Sequence, residues 1–392
     1  MSIERSGRRS ILLAGGGELG RELAISARRL GVRVIAADGD PAAPAMRVAD
    51  IREVVPLADG AALRGVVRSY APDVVVSVTD DVEIEGLRAV EEDGTPVVPS
   101  TRTSELLRDR ESFAVVADGE LGLRVPRFAF ASSEEELHEV CEEVGYPCVV
   151  KPAALSGGRG RSVVSGSARV SLAWAFAQEE APSGDRRLLV EEFIDFRTEV
   201  TLLALRAGGA MTRFLEPIAF REEQGERREA WVPSEISESE LTRAGEAAEA
   251  LANRVGDKGL FAADFFLTDD EVILSGLSVG PRETGIVTLL SHDLSSFDLH
   301  LRAILGLPVP TVRFHGPSAA AAILAGRNGG AIEPRGIERA LQVETAQILV
   351  FERGRGLSGR KLGWVLAAGG TAEEARSRAL EGASRVSIAY PT

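Results

Sequence analysis

The stretch Cys148-Val149-Val150-Lys151-Pro152, followed closely by Ser156-Gly157-Gly158-Arg159-Gly160-Arg161, decides the fold prediction for this chain. An apolar strand ends in a lysine, and a glycine-rich loop follows it within a few residues. This order brings an ammonium group and several free backbone N–H groups together, which is a typical setting for the phosphates of a nucleotide. The central part of the chain is therefore predicted to bind a phosphorylated ligand.

Lysine usage supports a special role for Lys151. The chain has three lysines, Lys151, Lys258 and Lys361, and carries its other positive side chains as arginine. A lysine kept in an arginine-rich background indicates a site that needs a compact, flexible ammonium group rather than a planar guanidinium. Lys258, in the turn-like segment 256–259, is interpreted as a surface residue without such a role.

Length and composition predict a soluble protein of several domains. A chain of 392 residues is too long for one ordinary core, so two or three domains are expected. A formal net charge of −14 argues against nucleic-acid and anionic-membrane partners. The two cysteines, Cys141 and Cys148, show neither metal-ligand spacing nor a disulfide framework. Because no apolar run has membrane-spanning length, the cytoplasm is the expected location.

The N-terminal region alternates strand and helix patterns. Strands are predicted at 10–14, 32–38, 54–57, 73–78 and 97–99, with helices at 21–30, 60–70 and 82–93. Such alternation predicts a doubly wound parallel sheet. The glycine turn at 15–20 is a weak indication of anion binding and leaves a dinucleotide-binding dehydrogenase open as a rival interpretation. No later motif supports hydride chemistry.

The rest of the chain has a different pattern. A helix is predicted at 134–144, and strands are predicted at 148–152, 188–194, 199–205, 261–267 and 271–274. These segments predict an antiparallel α+β region that holds a nucleotide between two sheets. From about residue 318, strands at 348–351 and 363–366 and a helix at 372–384 indicate a small third unit. The predicted fold class is α/β plus α+β.

Several further motifs resemble one enzyme family. They are Gly16-Gly17-Glu18-Leu19-Gly20, Ala43-Pro44-Ala45-Met46, Gly145-Tyr146-Pro147-Cys148, Gly259-Leu260-Phe261, Thr284-Gly285-Ile286-Val287-Thr288 and Leu305-Gly306-Leu307-Pro308. With these residues the chain resembles the ATP-grasp superfamily, and most closely the formate-dependent phosphoribosylglycinamide formyltransferases. The resemblance runs nearly end to end. It implies an N-terminal, Rossmann-like pre-ATP-grasp domain at 1–112, an ATP-grasp domain at 113–315 and a C-terminal domain at 316–392.

The resemblance also implies an activity and its participants. Members of this family join formate, through an acyl phosphate, to the amine of glycinamide ribonucleotide, and they use ATP as the source of energy. The implied cofactors are ATP and Mg2+. The implied partners are small-molecule substrates and a second copy of the chain in a homodimer, without nucleic acid or membrane.

Ligand-binding residues follow from the same resemblance. The implied nucleotide-binding residues are Arg110, Lys151, Ser156, Gly157, Gly158, Arg159, Gly160, Arg161, Glu191, Glu192, Phe193, Ile194 and Glu199. Glu191 with the backbone of the next three residues matches the adenine-binding segment, and Glu199 matches the acceptor for the ribose hydroxyls. The implied substrate-binding residues are Glu18, Leu19, Asp80, Glu283, Arg353, Arg360 and Lys361. Asp80, Glu283 and Arg353 differ from the usual family residue but keep its charge.

The metal site departs from the family pattern. The family binds Mg2+ with two carboxylates on adjacent strands; the first is Asp264 here, whereas the second is Gly276, which has no side chain. An arginine of the family is replaced by Gly280, and Arg282 appears two residues later. The expected catalytic residues are Lys151, Arg282 and Asp264, and Asp264 is the expected metal ligand. Loss of a carboxylate predicts weaker ATP-driven catalysis, because metal charge stabilises phosphoryl transfer.

Three functional hypotheses remain open at this point. The first is a working formate-dependent ligase of the family. The second is a diverged carboxylate–amine ligase with altered substrates. The third belongs to another class, a catalytically weak relative that binds a nucleotide or sugar phosphate and acts through a partner. Gly276 favours the second and third hypotheses, whereas Lys151, the glycine loop and the pair Arg360-Lys361 favour the first two.

Overall fold

The computed structural model describes residues 9–153, 160–180, 186–208, 212–223, 226–329, 332–351 and 360–390. The first part of the chain contains β1 (Ser10–Ala14), α1 (Glu18–Arg29), β2 (Arg33–Asp38), β3 (Ile51–Val54), α2 (Gly60–Tyr70), β4 (Val74–Ser77), α3 (Ile84–Glu92) and β5 (Val97–Val98). Its five strands are parallel in the order β3-β2-β1-β4-β5. The predicted doubly wound sheet is therefore confirmed.

Strand alternation explains how this sheet is covered on both faces. Ile11 and Leu13 of β1 pack with Leu23 of α1, whereas Leu12 packs on the opposite face with Leu63 of α2. The position of one strand was predicted wrongly, since β3 ends at Val54 instead of running from 54 to 57. Proline has no N–H group to donate to a strand ladder, so Pro56 cannot continue the pairing.

A helical segment leads from this sheet into the central part. It consists of α4 (Thr101–Arg108), α5 (Arg110–Ala114) and a π-helical turn at Val115–Glu120. The central part begins with β6 (Phe128–Ala131), α6 (Glu134–Val144), β7 (Cys148–Pro152), β8 (Ser162–Val164), α7 (Val170–Glu180) and β9 (Leu188–Glu192). These four strands form an antiparallel sheet in the order β6-β9-β7-β8, which we name the small sheet.

Alternation along β7 gives the small sheet two different faces. Cys148 and Val150 pack into an apolar core with residues of α6 and α7. Side chains of successive strand residues point to opposite faces, so Val149 and Lys151 lie on the other face. The helix-covered face is thus part of the apolar core, and the face that carries Lys151 is the one that can contribute to a binding site.

The large sheet begins in the central part of the chain. This part contributes β10 (Thr198–Arg206), β11 (Arg213–Phe214), β12 (Ile218–Glu223), β13 (Glu226–Val232), α8 (Glu238–Val255), β14 (Gly259–Leu267), β15 (Val272–Val279), α9 (Thr288–Ser291) and α10 (Ser296–Ile304). Helix α8 covers one face of the sheet, where Leu251 packs with Phe261 and Phe265. A capping box between Ser237 and Glu240 starts this helix.

The C-terminal part continues the large sheet instead of forming a separate one. Its elements are β16 (Ser318–Leu324), β17 (Glu333–Arg335), α11 (Ile337–Ala340), β18 (Gln347–Val350), β19 (Lys361–Ala368), α12 (Ala372–Arg385) and β20 (Ser387–Ala389). The nine-stranded order is β15-β14-β10-β12-β13-β16-β19-β18, with β11 paired to β10. Strands β17 and β20 pair with each other in a separate two-stranded sheet. In the described ranges, no helix is long and apolar enough to cross a membrane.

Candidate active site

A charged cluster lies on the open face of the small sheet. Lys151 Nζ is 2.6 Å from Oε2 of Glu191, and Nη2 of Arg110 donates to Oε1 of the same carboxylate at 2.7 Å. Glu191 is paired with Val149 across the ladder, so Lys151 is its diagonal neighbour on the same face. Nη1 of Arg110 also donates to the carbonyl oxygen of Ser275, at 3.3 Å. Arg110 thereby connects the small sheet with β15 of the large sheet.

The cluster is buried and strongly coupled. Burial lowers the pKa of Lys151, and Arg110 adds to this effect, while Glu191 opposes it. Burial works against ionisation of Glu191, but Lys151 and then Arg110 hold its pKa below the ordinary value. The carboxylate is therefore ionised, and it holds two cations at the edge of a cleft. We use the word cleft for the space between this face and the large sheet.

A β-bulge shapes the opposite wall of the cleft. Asp264 of β14 is paired with Gly276 of β15, whereas the next residue, Phe265, is paired with Leu274, so Ser275 is the extra residue. Bulges redirect side chains and are common beside active sites. Here the hydroxyl of Ser275 donates to Oε1 of Glu199 at 3.4 Å.

The environment of Glu199 favours its neutral form. Burial, followed by the nearby carboxylates Asp264 and Glu222, raises the pKa of Glu199 to about 8. At neutral pH this group is therefore largely a protonated acid, which both donates and accepts hydrogen bonds. Such a group suits the hydroxyls of a ribose, and that predicted role of Glu199 stays a prediction.

Asp264 is fully engaged by hydrogen-bond donors. Its Oδ1 accepts from the hydroxyl of Thr201 at 2.6 Å. Its Oδ2 accepts from Nη2 of Arg227 at 2.9 Å and from Nη2 of Arg282 at 3.4 Å. The side chain of Asp264 is 9% exposed, so its charge is balanced by these guanidinium groups rather than by water.

These residues do not fit a protein-bound magnesium ion at this position. Mg2+ requires octahedral oxygen ligands, whereas both oxygens of Asp264 already face donors and Gly276 has no side chain. Within the described ranges, no group of three or more His, Cys, Asp or Glu side chains is placed to hold a metal. The role of Asp264 as a metal ligand stays a prediction from the resemblance, without support from the donor set.

The other predicted nucleotide residues lie around the same cleft, as far as the structure describes them. Gly160 and Arg161 precede β8, and Nη1 of Arg161 is 3.4 Å from Oε1 of Glu222. Phe193 and Ile194 follow the end of β9, so their backbone groups lie beyond the strand. The predicted residues Ser156, Gly157, Gly158, Arg159 and Arg353 lie outside the described residues.

Glu192 has a supporting role in the structure. Its carboxylate accepts from Nη2 of Arg124, at 3.0 and 3.1 Å to its two oxygens, and from the backbone N–H of Arg127 at 3.0 Å. Burial opposes ionisation, but the Arg127 N–H and then the Arg124 guanidinium lower the pKa of Glu192. The side chain therefore holds β9 to the segment before β6, and the backbone N–H of Glu192 adds to this by donating to the carbonyl oxygen of Arg127 at 2.8 Å.

A cavity of about 310 Å³ lies between the N-terminal glycine turn and the large sheet. Four of the predicted substrate residues line it: Glu18, Leu19, Glu283 and Arg360. Lys361 is buried, its ammonium contacts Glu283, and it lies 5.4 Å from the ring centre of Trp364. The structure thus brings these five residues of the prediction together, although they come from distant parts of the sequence.

Asp80 is the described substrate residue that stands apart. Its side chain is 71% exposed and lies 4.0 Å from Nε of Arg108. Its neighbour Asp81 lines the cavity instead. Asp38 also lines it, and Oδ2 of Asp38 accepts from the N–H of Gly16 at 2.5 Å. Asp38 therefore fixes the glycine turn.

Arg227 is the site residue that the sequence reasoning missed. In the β12–β13 ladder Glu222 is paired with Arg227 and Arg221 with Glu229, so Arg228 is an extra residue in β13. Regular alternation would put Arg227 on the same face as Glu229. The bulge turns it to the opposite face, where it meets Asp264. A bulge depends on the pairing of two strands, so no local sequence signal would have revealed it.

The fold and the site define a class of enzyme. A lysine and an arginine share one carboxylate on the open face of the small antiparallel sheet, and the arginine also contacts the large sheet. Residues 117–297 match the ATP-grasp domain, residues 9–107 match the ribonucleotide synthetase preATP-grasp domain, and residues 318–386 match the family described as PurT, C-terminal. The chain is an ATP-grasp enzyme.

Curated relatives give the family. The formate-dependent phosphoribosylglycinamide formyltransferase of Synechococcus sp. strain CC9605 is 42% identical over 380 residues, which cover 97% of each chain. The enzyme of the same name from Solidesulfovibrio magneticus is 44% identical over 381 residues, 96% of each chain. The chain belongs to the family of formate-dependent phosphoribosylglycinamide formyltransferases.

Solved structures agree with this assignment. The structure of glycinamide-RNase-transformylase T from Mycobacterium tuberculosis superposes with a TM-score of 0.79 at 33% identity, over 97% of this chain and 100% of that one. A carboxyaminoimidazole ribonucleotide synthase from Aspergillus clavatus, solved with ATP, gives a TM-score of 0.85 at 25% identity, over 97% and 99% of the two chains.

Proposed function

We propose that this protein catalyses the ATP-dependent formylation of glycinamide ribonucleotide, with formate as the source of the formyl group. The observation that carries the proposal is the Lys151–Glu191–Arg110 cluster, which holds two cations over the cleft between the sheets. The names of the relatives that match nearly the whole chain support the choice of formate and of this amine.

The proposed reaction has two chemical steps. A carboxylate oxygen of formate attacks the γ-phosphorus of ATP, the bond to the β,γ-bridging oxygen breaks, and ADP leaves. The amine nitrogen then attacks the carbon of formyl phosphate, inorganic phosphate leaves with the C–O bond electrons, and the amine loses a proton. Lys151 and Arg110 would hold and neutralise the phosphates during the first step, which depends mainly on positioning and electrostatics.

The proposal gives each cavity one substrate. The cleft takes ATP, with Glu199 at the ribose and the backbone after β9 at the base. The cavity at the glycine turn takes the phosphorylated amine, with Arg360 for an anionic group and Glu18 and Glu283 for the amine. Magnesium has no step in this proposal, because the described residues around Asp264 do not fit it.

Product formation tests the proposed function. Purified protein is incubated with ATP, formate and glycinamide ribonucleotide, ADP is measured continuously, and the formylated amine is identified by mass spectrometry. We expect ADP release to require formate and to yield the formylated product in equal amount. Lys151→Ala should abolish it, whereas Lys258→Ala, at an exposed lysine, should not. ADP release that does not depend on formate would contradict the proposal.

A diverged substrate pair is the second candidate function. Among the described residues that line the substrate cavity, Glu18, Asp38, Asp40, Asp81 and Glu283 are acidic, and Arg360 is the basic one. This balance favours an amine with more positive charge, or less phosphate, than glycinamide ribonucleotide. Replacing the amine by a panel of aminated sugars and amino acids in the same ADP assay distinguishes the two candidates.

The family resemblance also supports a homodimer that works on small molecules in the cytoplasm. Light scattering on the eluting peak of a size-exclusion column tests the homodimer directly. A mass of one chain, 41.6 kDa, would contradict it, and a mass twice as large would support it.

A further inference from the structure

The wall of the cleft that faces the Lys151 cluster carries a cationic pair. Arg227 and Arg282 both donate to Oδ2 of Asp264, at 2.9 and 3.4 Å. The two guanidinium groups outnumber the one carboxylate that they share. Gly276, the residue paired with Asp264 across the ladder, adds no charge. Two guanidinium groups thus lie at the position where the family resemblance implies a metal ion, and the carboxylates of Glu222 and Glu283 are also close to Arg227.

Arg227 is fixed in place from several sides. Its side chain is 13% exposed, and its guanidinium carbon lies 4.6 Å from the ring centre of Phe220. Among the described residues its Nε atom is buried without a hydrogen-bond partner. A held guanidinium with an unused donor is a ready binding group for an anion, because the cost of ordering the side chain has already been met by folding.

The pair lies near Arg161, the last residue of the glycine-rich stretch and one of its described residues. Arg227 is paired with Glu222 across the β12–β13 ladder, and the same Glu222 is 3.4 Å from Arg161, which follows that loop in the sequence. One carboxylate thus separates the end of the loop from Arg227. Phosphates held by Lys151 and Arg161 would therefore lie within reach of the pair.

We propose that Arg227 and Arg282, held together by Asp264, bind the phosphate oxygens of the nucleotide in place of a protein-bound metal ion. The inference rests on the proposed function for the identity of the ligand and concerns the same cleft. Guanidinium groups are permanently charged and bind phosphate oxygens through two parallel N–H groups. Nucleotide binding by this protein is consequently independent of divalent cations.

Calorimetry with ADP as the probe tests the inference on the full-length protein. Each variant is titrated once in EDTA and once in excess Mg2+. For the unaltered protein we expect dissociation constants that agree within about threefold between the two buffers. Arg227→Gln should weaken binding in EDTA at least tenfold, as expected for loss of a charged hydrogen bond. Arg221→Gln, in the same hairpin but paired with Glu229, is the matched control and should change binding less than twofold.

Each alternative result has a definite meaning. If the unaltered protein binds ADP only in Mg2+, or if Arg227→Gln binds as tightly as the control, the inference is wrong and the proposed function stands. If ADP binds in EDTA but formate does not stimulate ADP release, the inference stands and the proposed function is wrong. If the unaltered protein binds ADP in neither buffer, both are wrong. Should Arg227→Gln fail to fold, the comparison of the two buffers on the unaltered protein still decides.

Discussion

Lys151 and Glu191 form an ion pair of 2.6 Å as diagonal neighbours on the open face of the small sheet. Because Arg110 completes the cluster on the other carboxylate oxygen, Glu191 is a buried counter-ion rather than a solvated strand end. The carboxylate keeps two cations in place before any ligand arrives. Such preorganisation reduces the cost of ordering flexible side chains when an anionic ligand binds.

Lys151→Ala is expected to weaken nucleotide binding by about 10- to 100-fold, the effect of losing one charge-assisted hydrogen bond. Calorimetry with ADP measures this change. Lys258→Ala provides the control, because Lys258 is an exposed lysine outside the cleft. Equal affinities for the two variants would refute the assignment of the cleft as the nucleotide site.

Glu199→Gln is expected to change the dependence of stability on pH. The pKa of Glu199 is raised from its ordinary value of 4.5 to about 8 by burial and neighbouring carboxylates. The folded state therefore holds this proton more tightly than the unfolded chain does, so the free energy of unfolding falls as the pH rises between these two values. Between pH 5 and pH 9 the unaltered protein should lose about 3 to 5 kcal/mol more than the variant. Urea unfolding at the two pH values measures the difference.

Glu192→Gln is expected to change the pH dependence of stability in the opposite direction to Glu199→Gln. It serves as the control for that experiment. Burial opposes ionisation of Glu192, but the Arg127 N–H and Arg124 lower its pKa overall. The stabilisation by this carboxylate is therefore present above its unfolded pKa and is lost as the pH falls through the folded value. The free energy of unfolding of the unaltered protein and that of Glu192→Gln should change alike between pH 5 and pH 9 and should differ only at acidic pH. If Glu199→Gln and Glu192→Gln lost the same free energy of unfolding between pH 5 and pH 9, Glu199 would not be the responsible group.

The sequence predicted what local patterns determine. The alternation of apolar runs and turns indicated the parallel sheet, and the strand patterns at 148–152 and 188–194 indicated two strands of the small sheet. The patterns did not reveal the joining of the C-terminal strands to the large sheet, because pairing of β16 with β13 links residues far apart in the chain. Nor did they reveal the role of Arg227, because the orientation of its side chain depends on a bulge. The three hydrogen-bond partners of Asp264 were also missed, because they come from distant parts of the sequence.

Arg376→Ala is expected to loosen the C-terminal helix from the large sheet. Arg376 of α12 is 3.1 Å from Oε2 of the buried Glu229, and its guanidinium carbon lies 3.9 Å from the ring centre of Trp231. Removing it leaves Glu229 with Arg221 as its remaining ion-pair partner in the described residues. We expect a loss of about 2 to 3 kcal/mol in the free energy of unfolding. Arg335→Ala, from an exposed pair with Glu333, should cost less than about 1 kcal/mol.

Gly276→Glu tests whether the Arg227–Arg282 pair prevents a metal ion from binding at the same position. A Cβ atom at position 276 would meet nothing within 4 Å, so the backbone there has room for the start of a side chain. Alone, the new carboxylate should pair with Arg227 and Arg282, and ATP turnover should not rise when Mg2+ is added. In the double variant Arg227→Gln/Gly276→Glu, two carboxylates face each other across the ladder with one guanidinium removed, and nucleotide binding should become dependent on Mg2+. Calorimetry in EDTA and in Mg2+ measures this change. A Mg2+-dependent rise in turnover for Gly276→Glu alone would mean that the missing carboxylate, and not the arginine pair, limits the site.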